Sequence, residues 1–152
     1  MVSRDSLKRL ASKVLLVLLL SAPTPVFADQ ELVLIVSTNS NIDRLDSASV
    51  RKLFLGLAVA EHGQWLRPLL NESEQRVKEL FLQNVISMSD SIYDRYVLRL
   101  SLTHGQSRPP IYKSAAQLVD AVAADPDAVG YVWARDVVHD GRVRILRVLW
   151  HD

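Results

Sequence analysis

Two short stretches carry the residue types needed to hold a small anion. Ser37-Thr38-Asn39 follows the apolar run Leu32-Val33-Leu34-Ile35-Val36, and offers hydroxyl and amide donors where open α/β sheets place their ligands. Asn71 and Ser73 follow the apolar pair Leu69-Leu70, with Arg67 and Arg76 close by as charge partners. This second stretch reads as strand, tight turn and helix start. A helix start presents backbone N–H groups without acceptors and a partial positive charge, so it favours an anion. Here the start is crowded with acids, Glu72 and Glu74. Asn71-x-x-Glu74 also spells a capping box, in which the glutamate reaches back to the cap N–H. Two readings therefore stand side by side: donors facing a ligand, or an ordinary polar turn followed by a self-capped helix.

Other chemistry finds little purchase. His62, His104, His139 and His151 show no metal-ligand spacing, and no Gly-x-Ser-x-Gly elbow is present. Asp90 and Asp94 fall on one helical segment, where paired acids form a solvated face. The sequence contains no cysteine, which removes thiolate nucleophiles, thiolate metal sites and disulfides. The chain is expected to be no enzyme and to carry no cofactor and no metal.

The elements that must position these residues begin after a leader. Arg4, Lys8, Arg9 and Lys13 precede the apolar run Val14–Leu20, followed by Pro23, Pro25 and the small-residue pattern Val26-Phe27-Ala28. This is the pattern of a secretory signal peptide, residues 1–28, cut after Ala28. The apolar run is shorter than the roughly 20 residues that span a bilayer. The remainder, residues 29–152, is expected to be one domain. It has 14 basic against 16 acidic residues, so the precursor's formal charge of +1 does not argue for nucleic acid. A periplasmic location is expected, with the membrane touched only through the signal peptide.

In the domain, Leu32–Val36 reads as a strand buried on both faces, which implies a sheet covered by helices. Asp46 is placed to cap a helix whose Val50, Leu53, Phe54 and Leu57 form one stripe, with Gly56 as its stop. Glu61-His62-Gly63-Gln64 is a turn, and Trp65 opens the second strand. The helix after Asn71 turns Val77, Leu80, Phe81 and Val85 inward. Ser89 or Asp90 caps the next, with Ile92, Tyr93, Tyr96, Val97 and Leu100 on its apolar side, ending before His104. Arg108-Pro109-Pro110 enforces an extended connection. Ser114 and Gln117 frame a further helix with Leu118, Val119 and Val122 inward, stopped at Asp125-Pro126-Asp127. Ala128–Trp133 is a second buried strand, in which Gly130 marks a close approach. Val143–Trp150 is a last strand whose Arg144 and Arg147, with Arg142 just before it, either protect an edge or meet an acidic partner. Strands alternating with helices give an α/β class with mixed pairing.

The order of Val50-Arg51-Lys52-Leu53-Phe54-Leu55-Gly56, Trp65 with Pro68, Ser73 before a helix containing Phe81, Tyr93 and Tyr96 ahead of Gly105 and Arg108-Pro109-Pro110, and finally Ala128-Val129-Gly130-Tyr131-Val132 resembles the small single-lobe relatives of the phosphate-binding components of ABC transporters, in the type 2 periplasmic binding protein group. The resemblance covers nearly all of residues 29–152. It implies a single periplasmic-binding-protein-like lobe, a mixed sheet flanked by helices, concerned with solute capture. In the two-lobed relatives a Ser-Gly-Thr turn opening a helix contacts phosphate; here Ser73-Glu74-Gln75 stands there, with the serine kept and the glycine and threonine replaced. The expected function is binding of phosphate or another small anion through Ser37, Thr38, Asn39, Asn71, Ser73 and Arg76. The alternative is an accessory module that docks on a membrane sensor or transporter without a small ligand.

Overall fold

The computed structural model describes residues 31–152, so the leader lies outside the described residues. Its centre is strand β1 (Leu32–Ser37), buried along its whole length. Antiparallel neighbours flank it on both sides: β7 (Ala128–Trp133) and β8 (Val143–Trp150). The short β4 (Arg67–Pro68) joins β7 in parallel, giving the order β4-β7-β1-β8. Beyond β4 the chain continues as β5 (Leu70–Asn71), parallel to β6 (Ile111–Tyr112). A hairpin of β2 (Ala60–Glu61) and β3 (Gln64–Trp65) stands apart, its turn made by His62 and Gly63 at φ 48° and 81°.

Residues alternate across the buried strands and so face two helical layers. Leu32, Leu34 and Val36 of β1, with Val129, Tyr131 and Trp133 of β7, pack against helices α1 (Ser47–Phe54), α2 (Gln75–Phe81) and α3 (Asp90–His104). Val33, Ile35, Ala128 and Val132 face α4 (Ala115–Ala124) through Leu118, Val119 and Val122. Gly130 lies under α4, and a Cβ there would come within 2.8 Å of the Leu118 side chain. Asp46, Ser89 and Ser114 cap their helices as the sequence suggests, each side chain accepting from a backbone N–H in the first turn. The last strand is the sheet edge, as expected.

Several details differ from the sequence reading, each for a local reason. α1 ends at Phe54, because the Tyr93 hydroxyl donates to the Phe54 carbonyl at 2.8 Å and the Tyr96 hydroxyl to that of Leu55 at 3.0 Å. With Gly56 at φ 80° the chain turns away, and Leu57 is left exposed instead of completing the stripe. After Phe81 the helix widens into a π-helical turn, Leu82–Ile86. That extra residue rotates the face, so Leu82 and Ile86 are buried and Val85 is only partly so. On α3, Ile92 is exposed and the inward side is Tyr93, Tyr96, Val97 and Leu100; the helix includes His104 and stops at Gly105, φ 63°. Trp65 sits in the hairpin and not in the main sheet.

The arginines at this edge have partners within the chain: Arg142, just before β8, pairs with Asp120 at 2.9 Å and with Asp140 at 2.7 Å. The pairing of β8 with β1 is irregular between Leu34 and Ile35, where Arg147 and Ile145 are their partners and Leu146 is the extra residue. The bulge puts Arg144 and Arg147 on the same face. Arg144 donates to the carbonyls of Ser40 and Ile42, and Arg147 to that of Leu45 at 3.1 Å. They tie down the loop that leaves β1.

Candidate functional site

The strand register decides which candidate residues can act together. Val36 pairs with Val129 and Leu34 with Tyr131, so Ser37 leaves the sheet beyond the Val129 end. β4 runs parallel to β7, and Asn71 reaches the Tyr131 carbonyl. Ser73 and Arg76 therefore lie toward the Trp133 end. The Ser37-Thr38-Asn39 loop and the Asn71–Arg76 corner sit at opposite ends of the sheet and do not converge.

The first group serves its own backbone. The Ser37 hydroxyl donates to the Ala123 carbonyl at 3.2 Å and accepts from the Asn39 N–H. The Thr38 hydroxyl donates to the Arg142 carbonyl at 3.0 Å. These bonds fix the turn after β1 against α4 and the start of β8.

The second group forms a built corner. Asn71 is fully buried. Its side-chain amide donates to the Tyr131 carbonyl at 2.9 Å, and its side-chain oxygen accepts from the Ser73 N–H at 2.9 Å. Being committed there, it cannot be the helix cap, and α2 begins three residues later than the capping box requires. Glu74 itself occupies the cap position, in extended conformation, and makes no side-chain cap bond. Its carboxylate instead meets Arg135 at 3.0 Å. The expected fold-back of Glu74 onto its own helix start is thus absent. α2 begins at Gln75, so the first backbone N–H groups of the helix, those of Gln75 and Arg76 among them, have no acceptor within the helix itself.

Aromatic and cationic side chains surround this corner. The Arg76 guanidinium lies 5.7 Å over the Trp150 ring and that of Arg135 lies 5.5 Å over Trp133. The two indoles meet edge-on at 6.3 Å. Burial, opposed by Arg135 and reinforced by Glu74, raises the Asp136 carboxyl above the usual carboxylate range. Neither Trp133 nor Trp150 nor Arg135 is legible as part of this corner from the sequence, because β7 and β8 are brought beside α2 only by the sheet order.

Glu72, one residue before Ser73, points into a separate ionic network. Lys113 contacts it directly, Lys78 lies at 3.2 Å and Arg108 at 4.0 Å. Lys78 also pairs with Asp90 at 2.7 Å, and Arg108 with Asp94 at 2.7 Å. Burial pushes the Glu72 carboxyl up, but Lys113 and Lys78 together outweigh it and hold it below its ordinary value. The three cations are thereby matched by three carboxylates. Arg67 is paired with Asp125 at 2.5 Å, on the other side of β4 from the corner. Two open hollows lie elsewhere. One of about 680 Å³ is bounded by Asp43, Asp46, Glu61 and Arg147, and one of about 580 Å³ by Leu57, Pro68, Arg108 and Pro109. Among the described residues, no group of three or more histidines and carboxylates is placed to hold a metal, and no helix is long and apolar enough to cross a membrane.

This architecture, a mixed sheet between helical layers, is that of one periplasmic-binding-protein-like lobe. It is similar to an ABC-type phosphate transport receptor from Vibrio cholerae, with a TM-score of 0.57 and 13% identity over 78% of this chain and 46% of that one. It is similar also to PstS from Borrelia burgdorferi (TM-score 0.55, 16% identity, 79% and 47% covered). A Clostridium perfringens phosphate ABC transporter substrate-binding chain with bound phosphate gives a TM-score of 0.59 at 12% identity, with 80% and 46% covered. At these identities the likeness is one of fold, and the chain spans about half the length of the structures it matches. No family model matches the sequence, and no curated protein matches it.

Proposed function

We propose that the chain is an exported, periplasmic-binding-protein-like domain that binds phosphate or another small oxyanion at the start of α2. The observation that carries this reading is the position of Glu74. Its carboxylate lies on Arg135 and not on the helix start, which leaves N–H donors, the Ser73 hydroxyl and Arg76 on one corner. The solved structures of like fold are phosphate-binding components, which supports phosphate as the first ligand to try. A stripped dianion needs several donors at once. A corner open on one side supplies part of that shell, so a modest affinity is expected. Calorimetry of the protein purified from the periplasm, titrated with inorganic phosphate, tests the reading. No heat and no change in melting temperature at millimolar phosphate would sink it.

A second reading, an accessory module docking on a membrane sensor or transporter, draws on one surface feature. Leu98 and Leu102 lie one turn apart on the outer face of α3, and Leu102 is 78% exposed. Under this reading, charged substitutions at both leucines abolish co-purification of a membrane component and leave any phosphate response intact.

A further inference from the structure

Trp133 ends β7 and is 3% exposed, yet its indole Nε1 is buried without a hydrogen-bond acceptor among the described residues. Buried donors are nearly always satisfied, and an orphan calls for an explanation outside the chain's own bonds. The surroundings of this orphan are not neutral. The Arg135 guanidinium covers its ring, and the adjoining Trp150 carries that of Arg76. The carboxylate of Glu74 sits on Arg135. A donor, two cations and a displaceable anion therefore meet on one corner.

We propose that the Trp133 indole N–H is a ligand donor of this corner, and that a small tetrahedral oxyanion takes the place of the Glu74 carboxylate on Arg135 and accepts from Nε1. The proposal rests on reading the α2 start as an anion site and extends it to a residue of β7. Indole is a donor only and cannot ionise. It adds a fixed hydrogen bond without changing the charge of the site. Its apolar setting makes such a bond stronger than it would be in water. A tetrahedral oxyanion has oxygens pointing in several directions, so it can reach the indole and a guanidinium together. The Arg135 guanidinium over the Trp133 ring and the Glu74 carboxylate paired with it are both half-exposed, so this pair can move while the core stays in place.

The test is a titration of the full secreted protein, labelled with nitrogen-15, with inorganic phosphate, and with chloride at matched ionic strength. The three indole N–H signals, from Trp65, Trp133 and Trp150, are assigned by single Trp→Phe substitutions. The expected result is that the Trp133 indole and the Gln75 amide shift together with one Kd, while Trp65 stays still. Trp133→Phe should raise the phosphate Kd by about tenfold, the loss of one hydrogen bond to a charged acceptor. Should that variant fail to fold, the wild-type indole titration decides alone. If the Gln75 and Arg76 amides shift and the Trp133 indole does not, this inference falls and the anion site stands. If no signal moves at millimolar phosphate, both fall. If chloride moves the Trp133 indole equally, the effect is ionic strength and the inference falls.

Discussion

Asn71 and Tyr131 are bonded to each other twice: the Asn71 amide donates to the Tyr131 carbonyl at 2.9 Å, and the Tyr131 hydroxyl donates to the Asn71 carbonyl at 3.3 Å. The pair welds the end of β5 to β7 one step before the candidate corner. The Tyr131 ring stacks on Phe81 at 3.7 Å, and Phe54 meets both edge-on. Phe54, Phe81 and Tyr131, one from each of three motifs that carried the family resemblance, thus converge on one aromatic cluster. They hold the fold, and the corner depends on them at second hand.

Asn71→Ala removes both bonds made by the Asn71 side chain and leaves the Tyr131 carbonyl and the Ser73 N–H unsatisfied in a buried place. Each orphaned group costs about 1–3 kcal/mol. A loss of about 2–4 kcal/mol is expected in urea unfolding, with the midpoint shifted and the slope unchanged. A change under about 0.5 kcal/mol, the scale of a surface substitution, would mean that water replaces the side chain without cost.

Tyr93 and Tyr96 act on the end of α1 through their hydroxyls. Tyr93→Phe should cost about 1 kcal/mol and Tyr96→Phe less, because Tyr96 is only half-buried. Burial pushes the Tyr93 hydroxyl up to about 12 and raises that of Tyr131 as well. The folded state thus holds these protons more tightly than the unfolded state, where tyrosine titrates near 10. Their contribution is complete below pH of about 10 and is lost as pH rises through about 12. Stability measured from pH 9 to 12 should fall, and Tyr93→Phe should flatten part of that fall.

How much of this was readable beforehand follows from where each force acts. The buried strands Leu32–Ser37 and Ala128–Trp133, the caps at Asp46, Ser89 and Ser114, and the edge position of Val143–Trp150 are written in local pattern, because period, cap chemistry and charge act within a few residues. The fates of Leu57, Val85 and Ile92 are not. They turn on two tyrosine hydroxyls from a distant helix, on one inserted residue in a π-turn, and on the angle at which α3 packs. The candidate site divided the same way. Asn71, Ser73 and Arg76 share one corner, but strand order alone decides that Ser37–Asn39 lies at the other end and that Trp133, Arg135 and Trp150 lie beside Arg76.

Gly130→Ala probes the approach of α4 to the sheet. The new Cβ would stand 2.8 Å from the Leu118 side chain and 3.0 Å from that of Val122, both in the core. Overpacking of this kind costs about 1–3 kcal/mol. Thermal unfolding should register it, and Leu118→Val in the same chain should recover part of the loss by making room. No recovery would place the strain in the backbone of β7.

The Glu72 network separates two lysines that look alike in sequence. Lys78 is 16% exposed and lies between Glu72 and Asp90, whereas Lys113 is 75% exposed. Lys78→Met leaves two carboxylates facing each other in a partly dry place and should cost about 1–3 kcal/mol. Lys113→Met should cost under about 1 kcal/mol, as for other exposed pairs. The Glu72 carboxyl is held below its ordinary value, so its contribution is present above the unfolded pKa and disappears as pH falls through the folded one. Unfolding between pH 6 and 3 should therefore steepen in the wild type more than in Glu72→Gln.

Glu74 is the residue on which the anion reading turns. In the free protein its carboxylate neutralises Arg135 at 3.0 Å, and an incoming oxyanion must compete with it and be repelled by it. Glu74→Gln keeps the shape and removes the charge, so phosphate binding should tighten, by about threefold to thirtyfold for a partly exposed charge near a dianion. Arg76→Gln removes a cation from the same corner and should weaken binding by a similar factor. Both effects should shrink in high salt, because the groups lie at the surface. Calorimetry on the two variants at low and high salt checks the signs. If Glu74→Gln weakened phosphate binding, the carboxylate would be accepting a hydrogen bond from a protonated ligand oxygen, and the corner would be built for a protonated oxyanion.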